Sequence, residues 1–403
     1  MSSTDTLFKD LIVIEAANVL AGPAVGMFFA ELGATVIKVE NIKTGGDTTR
    51  QWKLPAEDRN SDVSAYFSSV NWGKRSIGVD FAIPAGYEVI VDLVRRADVF
   101  LQSFKPGDAR KFGLDYPVLR DVNDRLIYAD ITAFGETDER PGFDAVLQAE
   151  TGFMGMNGTE TSGPVKMPVA LIDLLLAHQL KEALLIALIE RMQSGRGSYN
   201  TVSLFQSGVA SLANQAANYL VAGTVPGRAG SDHPNIAPYG TVFRTLNGEP
   251  VVLAVGTDSQ FQALCEVLDI PEAAADGRFA TNQQRVVHRD ALNALLTQRI
   301  GGQERDALLT ELQARQVPAG AVRRLDDVLA HASVEPLLLQ GKRSDGVPIH
   351  GLRTVAFESD VVTPPPTLDS PPAFDADSRY VLAEVLGYTE ERIQVLRDAG
   401  AVL

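Results

Sequence analysis

The first forty residues alternate strand-like and helix-like segments, and this alternation limits the choice of fold more than any other feature. The apolar run 11–16 predicts a buried strand, and Pro23 opens a helical stretch that Gly33 is placed to end. The β-branched segment 35–40 predicts the next strand. A strand, a helix and a second strand in this order form a βαβ unit, which requires parallel strands.

The same alternation continues over the next hundred residues. Strand-like segments cover 76–81, 98–104 and 125–134, and a helix is predicted from Pro84 to Ala97. Strands that alternate with helices build a mostly parallel sheet with both faces covered. The sequence therefore predicts an α/β fold.

The chain is also long enough for two domains, because one hydrophobic core rarely serves more than about 250–300 residues. After a long apolar helix predicted at 174–193, the segment 223–240 is rich in Gly and Pro and is typical of a linker. Beyond it, two β-like runs flank Asn247-Gly248, which is a strong hairpin signal. We expect a large domain over 1–224, a small domain over 225–330, and a return to the large domain over 331–403.

Composition and charge exclude several classes of protein. The 51 acidic residues outnumber the 36 basic ones and give a net charge of −15, which disfavours a nucleic acid partner. The single Cys265 cannot form an intrachain disulfide, which fits a reducing cytoplasm. The segment 1–20 lacks the features of a signal peptide, and the apolar run 180–189 is too short to cross a bilayer. We expect a cytoplasmic protein with no membrane partner.

Among the acidic residues, Asp173 has the most informative position. It follows the apolar, strand-like run PVALI and precedes a helix, where backbone N–H groups stabilise an anion. A carboxylate held there and shielded from water can act as a nucleophile. The same position is also typical of a simple helix cap, so the pattern alone does not select a reaction. No metal is expected, because none of the five histidines has ligand spacing.

Several motifs occur together and in one order: AGP, LGA, VIK and Glu within 21–40, GD.TR within 45–50, KRS at 74–76, and Pro168 followed five residues later by Asp173. With the segments around them, they resemble class III CoA-transferases, the family of formyl-CoA transferase and carnitine CoA-transferase. The resemblance spans most of the chain. It implies a Rossmann-like large domain built from both ends of the chain, a smaller α+β domain, and an interlocked homodimer.

The family's nucleophilic aspartate falls on Asp173. The resemblance implies that this carboxylate attacks an acyl-CoA donor, forms a mixed anhydride, and is then converted to an aspartyl-CoA thioester. An acceptor acid reverses these steps. Coenzyme A is thus a substrate rather than a prosthetic group, and we expect succinyl-CoA as the donor and a small, dicarboxylate-like acid as the acceptor.

The family's coenzyme A contacts carry over by position, and Lys105 and Lys111 are expected to meet the phosphates. The implied contacts are Leu20, Ala21, Asn41, Val79, Asp80, Ser103, Phe104, Lys105, Lys111, Arg140, Pro141, Gly142 and Phe143. His233, Pro238 and Tyr239 occupy the region of the family's glycine-rich lid and are the expected acid-binding residues. The loss of the glycine-rich lid argues against formate and oxalate as substrates, as does Pro141, which stands where the family has an active-site lysine.

Two other functions remain as alternatives. α-Methylacyl-CoA racemases belong to the same family and deprotonate a carbon with a His and an Asp. Phe143 stands where their His would be, and His178 follows Asp173 instead of preceding it. The second alternative is a CoA-binding protein without catalytic activity, against which the intact Asp173 argues.

Overall fold

The computed structural model describes residues 7–360, 362 and 364–403, which divide into two compact units. The first unit comprises the described residues of Met1–Thr151, Pro168–Leu212 and Glu335–Leu403. The second comprises Gly152–Met167 and Ala213–Val334. Residues 152–167, 213–224 and 331–334, which the sequence placed in the large domain, therefore belong to the second unit.

The strands and helices have the following bounds. The strands are β1 Ile12–Ala16, β2 Thr35–Asn41, β3 Lys74–Val79, β4 Val99–Gln102, β5 Ile127–Thr132, β6 Gly158–Thr159, β7 Gly163–Pro164, β8 Ser198–Ser203, β9 Tyr239–Arg244, β10 Pro250–Ala254, β11 Ala319–Ala321, β12 Leu338–Lys342 and β13 Pro348–Leu352. The α-helices are α1 Ala21–Glu31, α2 Ala65–Ser68, α3 Pro84–Arg96, α4 Asp108–Lys111, α5 Tyr116–Val122, α6 Asp144–Glu150, α7 Phe153–Met156, α8 Leu171–Ser194, α9 Leu204–Ala210, α10 Ala213–Ala222, α11 Asp258–Val267, α12 Pro271–Ala275, α13 Asn282–Val287, α14 Arg289–Ile300, α15 Arg305–Ala314, α16 Leu325–Leu329 and α17 Glu390–Asp398.

The first unit is built on a six-stranded parallel sheet with the order β3-β2-β1-β4-β5-β8. β1 lies in the middle, and its Val13 pairs with Val36 on one side and Val99 on the other. The chain therefore winds outward in both directions from β1, and the order reverses between β1 and β4. In open sheets of this kind, ligands bind outside the carboxyl ends of the strands at the point of reversal.

The sheet is central because its strands are buried on both faces. Ile14, Phe100 and Tyr128 are buried on one face and belong to a cluster that includes Val89 and Leu93 of α3. On α1, all eleven residues are buried, and this helix packs against α8. These observations confirm the predicted α/β class and the parallel sheet.

The C-terminal segment forms hydrogen bonds with β3, the strand at one edge of the sheet. Its Asp375 Oδ1 accepts a hydrogen bond from the Gly78 backbone N–H at 2.7 Å, and Asp377 Oδ2 accepts one from the Ser76 N–H at 2.9 Å. Val402 then forms an antiparallel bridge with Val79. The open side of β3 is therefore paired by residues about 300 positions further along the chain.

The second unit has its own core around a three-stranded antiparallel sheet with the order β11-β10-β9. β9 and β10 form the hairpin predicted at Asn247-Gly248, where Gly248 adopts a φ of 76°. Phe243, Leu253 and Phe261 are buried in this core. The unit thus has the expected α+β character. None of the helices in the described ranges combines the length and apolar character needed to span a membrane.

Candidate active site

A cleft of about 1300 Å³ lies at the carboxyl edge of the parallel sheet, and all of its lining residues belong to the first unit. Its walls come from the segment 18–22 after β1, the end of β2, the segments 102–110 and 130–137 that follow β4 and β5, and residues 140–143. The cleft therefore occupies the reversal point of the strand order, where an open α/β sheet binds its ligands.

Asp173 faces this cleft from the first turn of α8. It is the third residue of the helix and is only 6% exposed. The strand expected at PVALI is wrong, because residues 168 and 169 form a bend and α8 already begins at Leu171. Within this run, Ile172 is fully buried by the helix, whereas Val169 is 55% exposed.

Burial, and secondarily the charge of Asp144, raises the pKa of Asp173 to about 7. Within the described part of the chain, the Asp173 carboxylate accepts no hydrogen bond. Its negative charge is therefore poorly stabilised by the protein, which favours reaction with an electrophile. A carboxylate whose pKa is shifted so far and which lies in a cleft is a strong candidate for a catalytic group.

Asp144 fixes the helix start that carries Asp173. Its Oδ1 accepts a hydrogen bond from the Ile172 backbone N–H at 2.9 Å, and its Oδ2 accepts one from Gln148 Nε2 at 2.8 Å. Ile172 N–H is one of the first helical donors, which have no acceptor within the helix. No sequence motif had indicated this role for Asp144.

An aromatic group lies close to the two carboxylates. Burial, together with the charges of Asp173 and Asp144, raises the pKa of Tyr66. The Tyr66 ring packs edge-on against Trp52 at 5.1 Å, and Trp52 lies 6.4 Å from the predicted contact Phe143. Trp52 and Tyr66 were not predicted, because more than one hundred residues separate them from Asp173 in the sequence.

The cleft brings together most of the coenzyme A contacts that the resemblance implied. Those that line it are Leu20, Ala21, Asn41, Ser103, Phe104, Lys105, Arg140, Pro141, Gly142 and Phe143. The lining omits Val79, Asp80 and Lys111. Val79 and Asp80 are buried at the end of β3, and Asp80 is ion-paired with Lys43 at 3.3 Å, so the fold itself covers them.

The positive charges of the cleft differ in whether a carboxylate already neutralises them. Arg140 is paired with Asp138 at 2.8 Å and lies over the Phe134 ring at 3.9 Å. Lys105 and Arg110 also line the cleft, and neither forms an ion pair with another described residue. These two cations are therefore available for an anionic ligand, although no motif had pointed to Arg110.

A second wall of the cleft is polar and aromatic. The Tyr199 hydroxyl lies 2.8 Å from Asp130 Oδ2 and 2.5 Å from Glu136 Oε1, and its ring stacks on Tyr116 at 5.5 Å. Burial is the main cause of the raised pKa of Asp130. The Tyr199 hydroxyl carries only one proton, so the carboxyl groups of Asp130 and Glu136 share a single hydrogen-bond donor.

The predicted acid-binding residues His233, Pro238 and Tyr239 lie in the second unit. There the His233 backbone N–H donates to the Tyr239 carbonyl oxygen at 2.9 Å, and the two rings pack edge-on at 5.1 Å. The Ala237–Pro238 peptide bond is cis. These residues form one compact loop, and their role toward an acid substrate stays a prediction.

Comparisons with known proteins agree on one family. Residues 8–378 match the family described as CoA-transferase family III. The chain is 41% identical to the succinate–glutarate CoA-transferase of Agrobacterium fabrum over 85% of its length and 87% of that protein's. It is 33% identical to the human succinyl-CoA:glutarate CoA-transferase over 97% and 88% of the two chains. Among solved structures, a CAIB/BAIF family protein from Brucella suis superposes with a TM-score of 0.80 at 39% identity and covers 95% of this chain and 100% of its own.

Proposed function

This chain belongs to CoA-transferase family III, as its motifs had indicated, and we propose that it moves CoA from succinyl-CoA to a small dicarboxylic acid such as glutarate. The observation that best supports this proposal is that Asp173 is buried in the cleft and that its pKa is raised to about 7. The names of the relatives support the choice of donor and acceptor.

In the proposed mechanism, an Asp173 oxygen attacks the thioester carbonyl carbon and the CoA thiolate leaves. This gives a mixed anhydride of succinate and Asp173. The thiolate then attacks the Asp173 carbonyl carbon, so that succinate leaves and an aspartyl-CoA thioester remains. The acceptor carboxylate displaces CoA from this thioester, and the thiolate attacks the new acyl group and frees Asp173. Each bond broken is matched by one formed, so no ATP is required.

The surroundings of Asp173 support this mechanism in two ways. Its raised pKa reflects a carboxylate that is less stabilised than in water, and such a group gains more by forming a bond to carbon. Its burial also limits the access of water, which would hydrolyse the anhydride and the aspartyl thioester. Both intermediates need this protection.

For coenzyme A itself, we propose that Lys105 and Arg110 meet the phosphates. Both line the cleft, and neither is neutralised by another described residue. Charge-assisted contacts to phosphate are stronger than those between neutral groups. We propose that Leu20 and Ala21, which line the cleft on the opposite side of the strand reversal, contact the pantetheine arm.

We also propose a cytoplasmic homodimer, as the resemblance implies. Three apolar side chains on one helix support the dimer: Ile186, Ile189 and Met192 of α8 are 67%, 58% and 86% exposed. Apolar side chains grouped in this way are more often covered by a protein partner than left in water. Light scattering coupled to gel filtration, which should give a mass of two chains, tests this proposal.

The covalent step is tested by trapping the intermediate. The protein is incubated with succinyl-CoA and treated with hydroxylamine or borohydride, and Asp173 is examined by mass spectrometry. A transferase gives an adduct at Asp173, whereas a racemase exchanges the α-proton in heavy water without one, and a simple binder does neither. Asp173→Ala should lose both adduct and turnover, while the control Asp121→Ala, an exposed position on α5, should retain both. A panel of carboxylic acids then identifies the acceptor.

A further inference from the structure

Four buried charged side chains lie behind the segment 18–22, which lines the cleft after β1. Lys38 Nζ lies 3.1 Å from Glu15 Oε1 and 2.9 Å from Asp47 Oδ2, and Lys74 Nζ lies 2.7 Å from Glu15 Oε2. None of the four is more than 1% exposed. Charges buried so completely are costly unless they are paired, and a simple apolar core would hold a sheet together equally well. Their position therefore calls for a reason beyond stability.

The network holds the cleft segment through its backbone at three points. Lys38 Nζ donates to the Ala17 carbonyl oxygen at 2.7 Å, and Lys74 Nζ donates to the Pro23 carbonyl oxygen at 2.8 Å. Between them, the Val19 backbone N–H points to the Asp47 carboxylate, at 3.3 Å from Oδ2 and 3.4 Å from Oδ1. The backbone is thus held at Ala17 before the lining residues, at Val19 among them, and at Pro23 after them.

Val19 is the residue that most needs such support. Its φ is +72°, a left-handed conformation that β-branched residues rarely adopt. Strained backbone of this kind persists only where the surroundings enforce it, and it is concentrated at functional sites. Here it precedes Leu20 and Ala21, at the start of α1, whose first N–H groups have no acceptor within the helix.

We propose that Asp47 and Lys38 are positioning residues that hold Val19 in its left-handed conformation and thereby present the backbone at Leu20 and Ala21 to the bound CoA thioester. Neither side chain lines the cleft, so both act through the segment and not by touching the substrate. The inference rests on the proposed function, because it assumes that a CoA thioester occupies the cleft.

The electrostatics of the network fit this role. Burial raises the pKa of Asp47, but the charge and hydrogen bond of Lys38 and the hydrogen bonds from Thr49 together outweigh burial, and the net shift is downward. Burial lowers the pKa of Lys38. The negative charges of Asp47, Glu15 and Glu40 together outweigh burial, so the net shift is upward. Both groups are therefore ionised at neutral pH. Replacing Asp47 by Asn takes a counter-charge away from Lys38 and leaves the Val19 N–H facing a weaker, uncharged acceptor.

The test compares binding and turnover in matched variants. In Asp47→Asn, we expect the Kd for free CoA, measured by calorimetry, and the KM for succinyl-CoA to rise about tenfold. Adding Val19→Gly to this variant should recover much of that loss, because glycine adopts positive φ without strain. Glu31→Gln is the control: Glu31 is a buried carboxylate at the far end of α1, outside the cleft, so its loss should lower the Tm but leave the Kd unchanged.

The outcomes separate the two proposals. If the wild-type protein binds no CoA, the proposed function fails. If it binds CoA and a folded Asp47→Asn variant binds equally well, or if Val19→Gly restores nothing, the positioning role is overturned. Should Asp47→Asn not fold, Thr49→Val provides the test, since it removes only the 2.8 Å hydrogen bond from Thr49 Oγ1 to Asp47 Oδ1. A higher Kd in that variant supports the role, and an unchanged Kd contradicts it.

Discussion

Asp144 Oδ1 accepts a hydrogen bond of 2.9 Å from the backbone N–H of Ile172, the residue immediately before Asp173. The same carboxylate contributes to the raised pKa of Asp173. One side chain therefore influences both where the proposed nucleophile stands and how strongly it holds a proton. Mutation can separate these two effects, because an amide oxygen accepts the hydrogen bond without carrying the charge.

We expect Asp144→Asn to lower the pKa of Asp173 while α8 keeps its start. The proposed nucleophile reacts as a carboxylate, so kcat/KM for the wild type should increase with pH up to about 7, the pKa of Asp173. In the variant this increase should occur at lower pH, because the repulsion from Asp144 is gone. The pH–rate profiles of the two proteins provide the measurement. Identical profiles would mean that burial alone sets the pKa.

The raised pKa of Asp173 also predicts how stability depends on pH. Below the ordinary value of 3.8, Asp173 is protonated in both folded and unfolded chains. As the pH increases toward about 7, the unfolded chain loses this proton first, so the stabilising contribution of protonated Asp173 is lost. Relative to Asp173→Asn, the wild type should therefore lose about 4 kcal/mol between pH 4 and pH 8. Urea unfolding at several pH values measures this difference. The control Asp121→Asn, at an exposed position on α5, should show no such pH-dependent difference from the wild type.

Arg110→Ala should weaken the binding of acyl-CoA more than Lys111→Ala does. Arg110 lines the cleft and has no ion pair among the described residues, whereas Lys111 lies outside the lining, with its Nζ 5.4 Å from the Phe112 ring. Loss of one charge-assisted phosphate contact should raise KM about tenfold. The effect should shrink in high salt, because salt screens exposed charges. An equal or larger effect of Lys111→Ala would place the phosphates on the other side of α4.

Arg50→Met should destabilise the first unit strongly. Arg50 Nη2 donates to Glu40 Oε1 at 2.6 Å, its Nε donates to Glu40 Oε2 at 2.9 Å, and both residues are buried. Breaking such a pair leaves an uncompensated charge and costs about 3–5 kcal/mol. Chemical denaturation measures the loss. Arg50→Met combined with Glu40→Gln should recover part of the stability, and a double variant no more stable than Arg50→Met would contradict this account.

The fold was predictable from the sequence because its periodicity is local. The runs 11–16 and 35–40 match β1 and β2 closely, and Pro84 begins α3 as expected. Apolar strands covered on both faces leave a clear trace in the sequence. The PVALI segment failed because a short apolar run does not by itself distinguish a strand from the start of a buried helix.

Site residues were predictable from the sequence only where they belong to a family motif. Asp173 came from the resemblance, and the cleft contains most of the contacts that came with it. Asp144, Tyr66 and Arg110 were missed, because their proximity to the cleft depends on how distant segments fold together. Arg110 and Lys111 illustrate this: adjacent residues of a helix point about 100° apart, so the choice between them is geometric.

The pairing of β3 with the C-terminal segment has a consequence for how the protein is made. About 300 residues must be synthesised after Ser76 and Gly78 before Asp375 and Asp377 can reach them. At ordinary rates of translation this takes about 15 to 60 seconds. Throughout that time the edge of a nascent parallel sheet is open to other chains. Producing this protein in quantity will therefore depend on chaperones that shield the sheet while the ribosome is still at work.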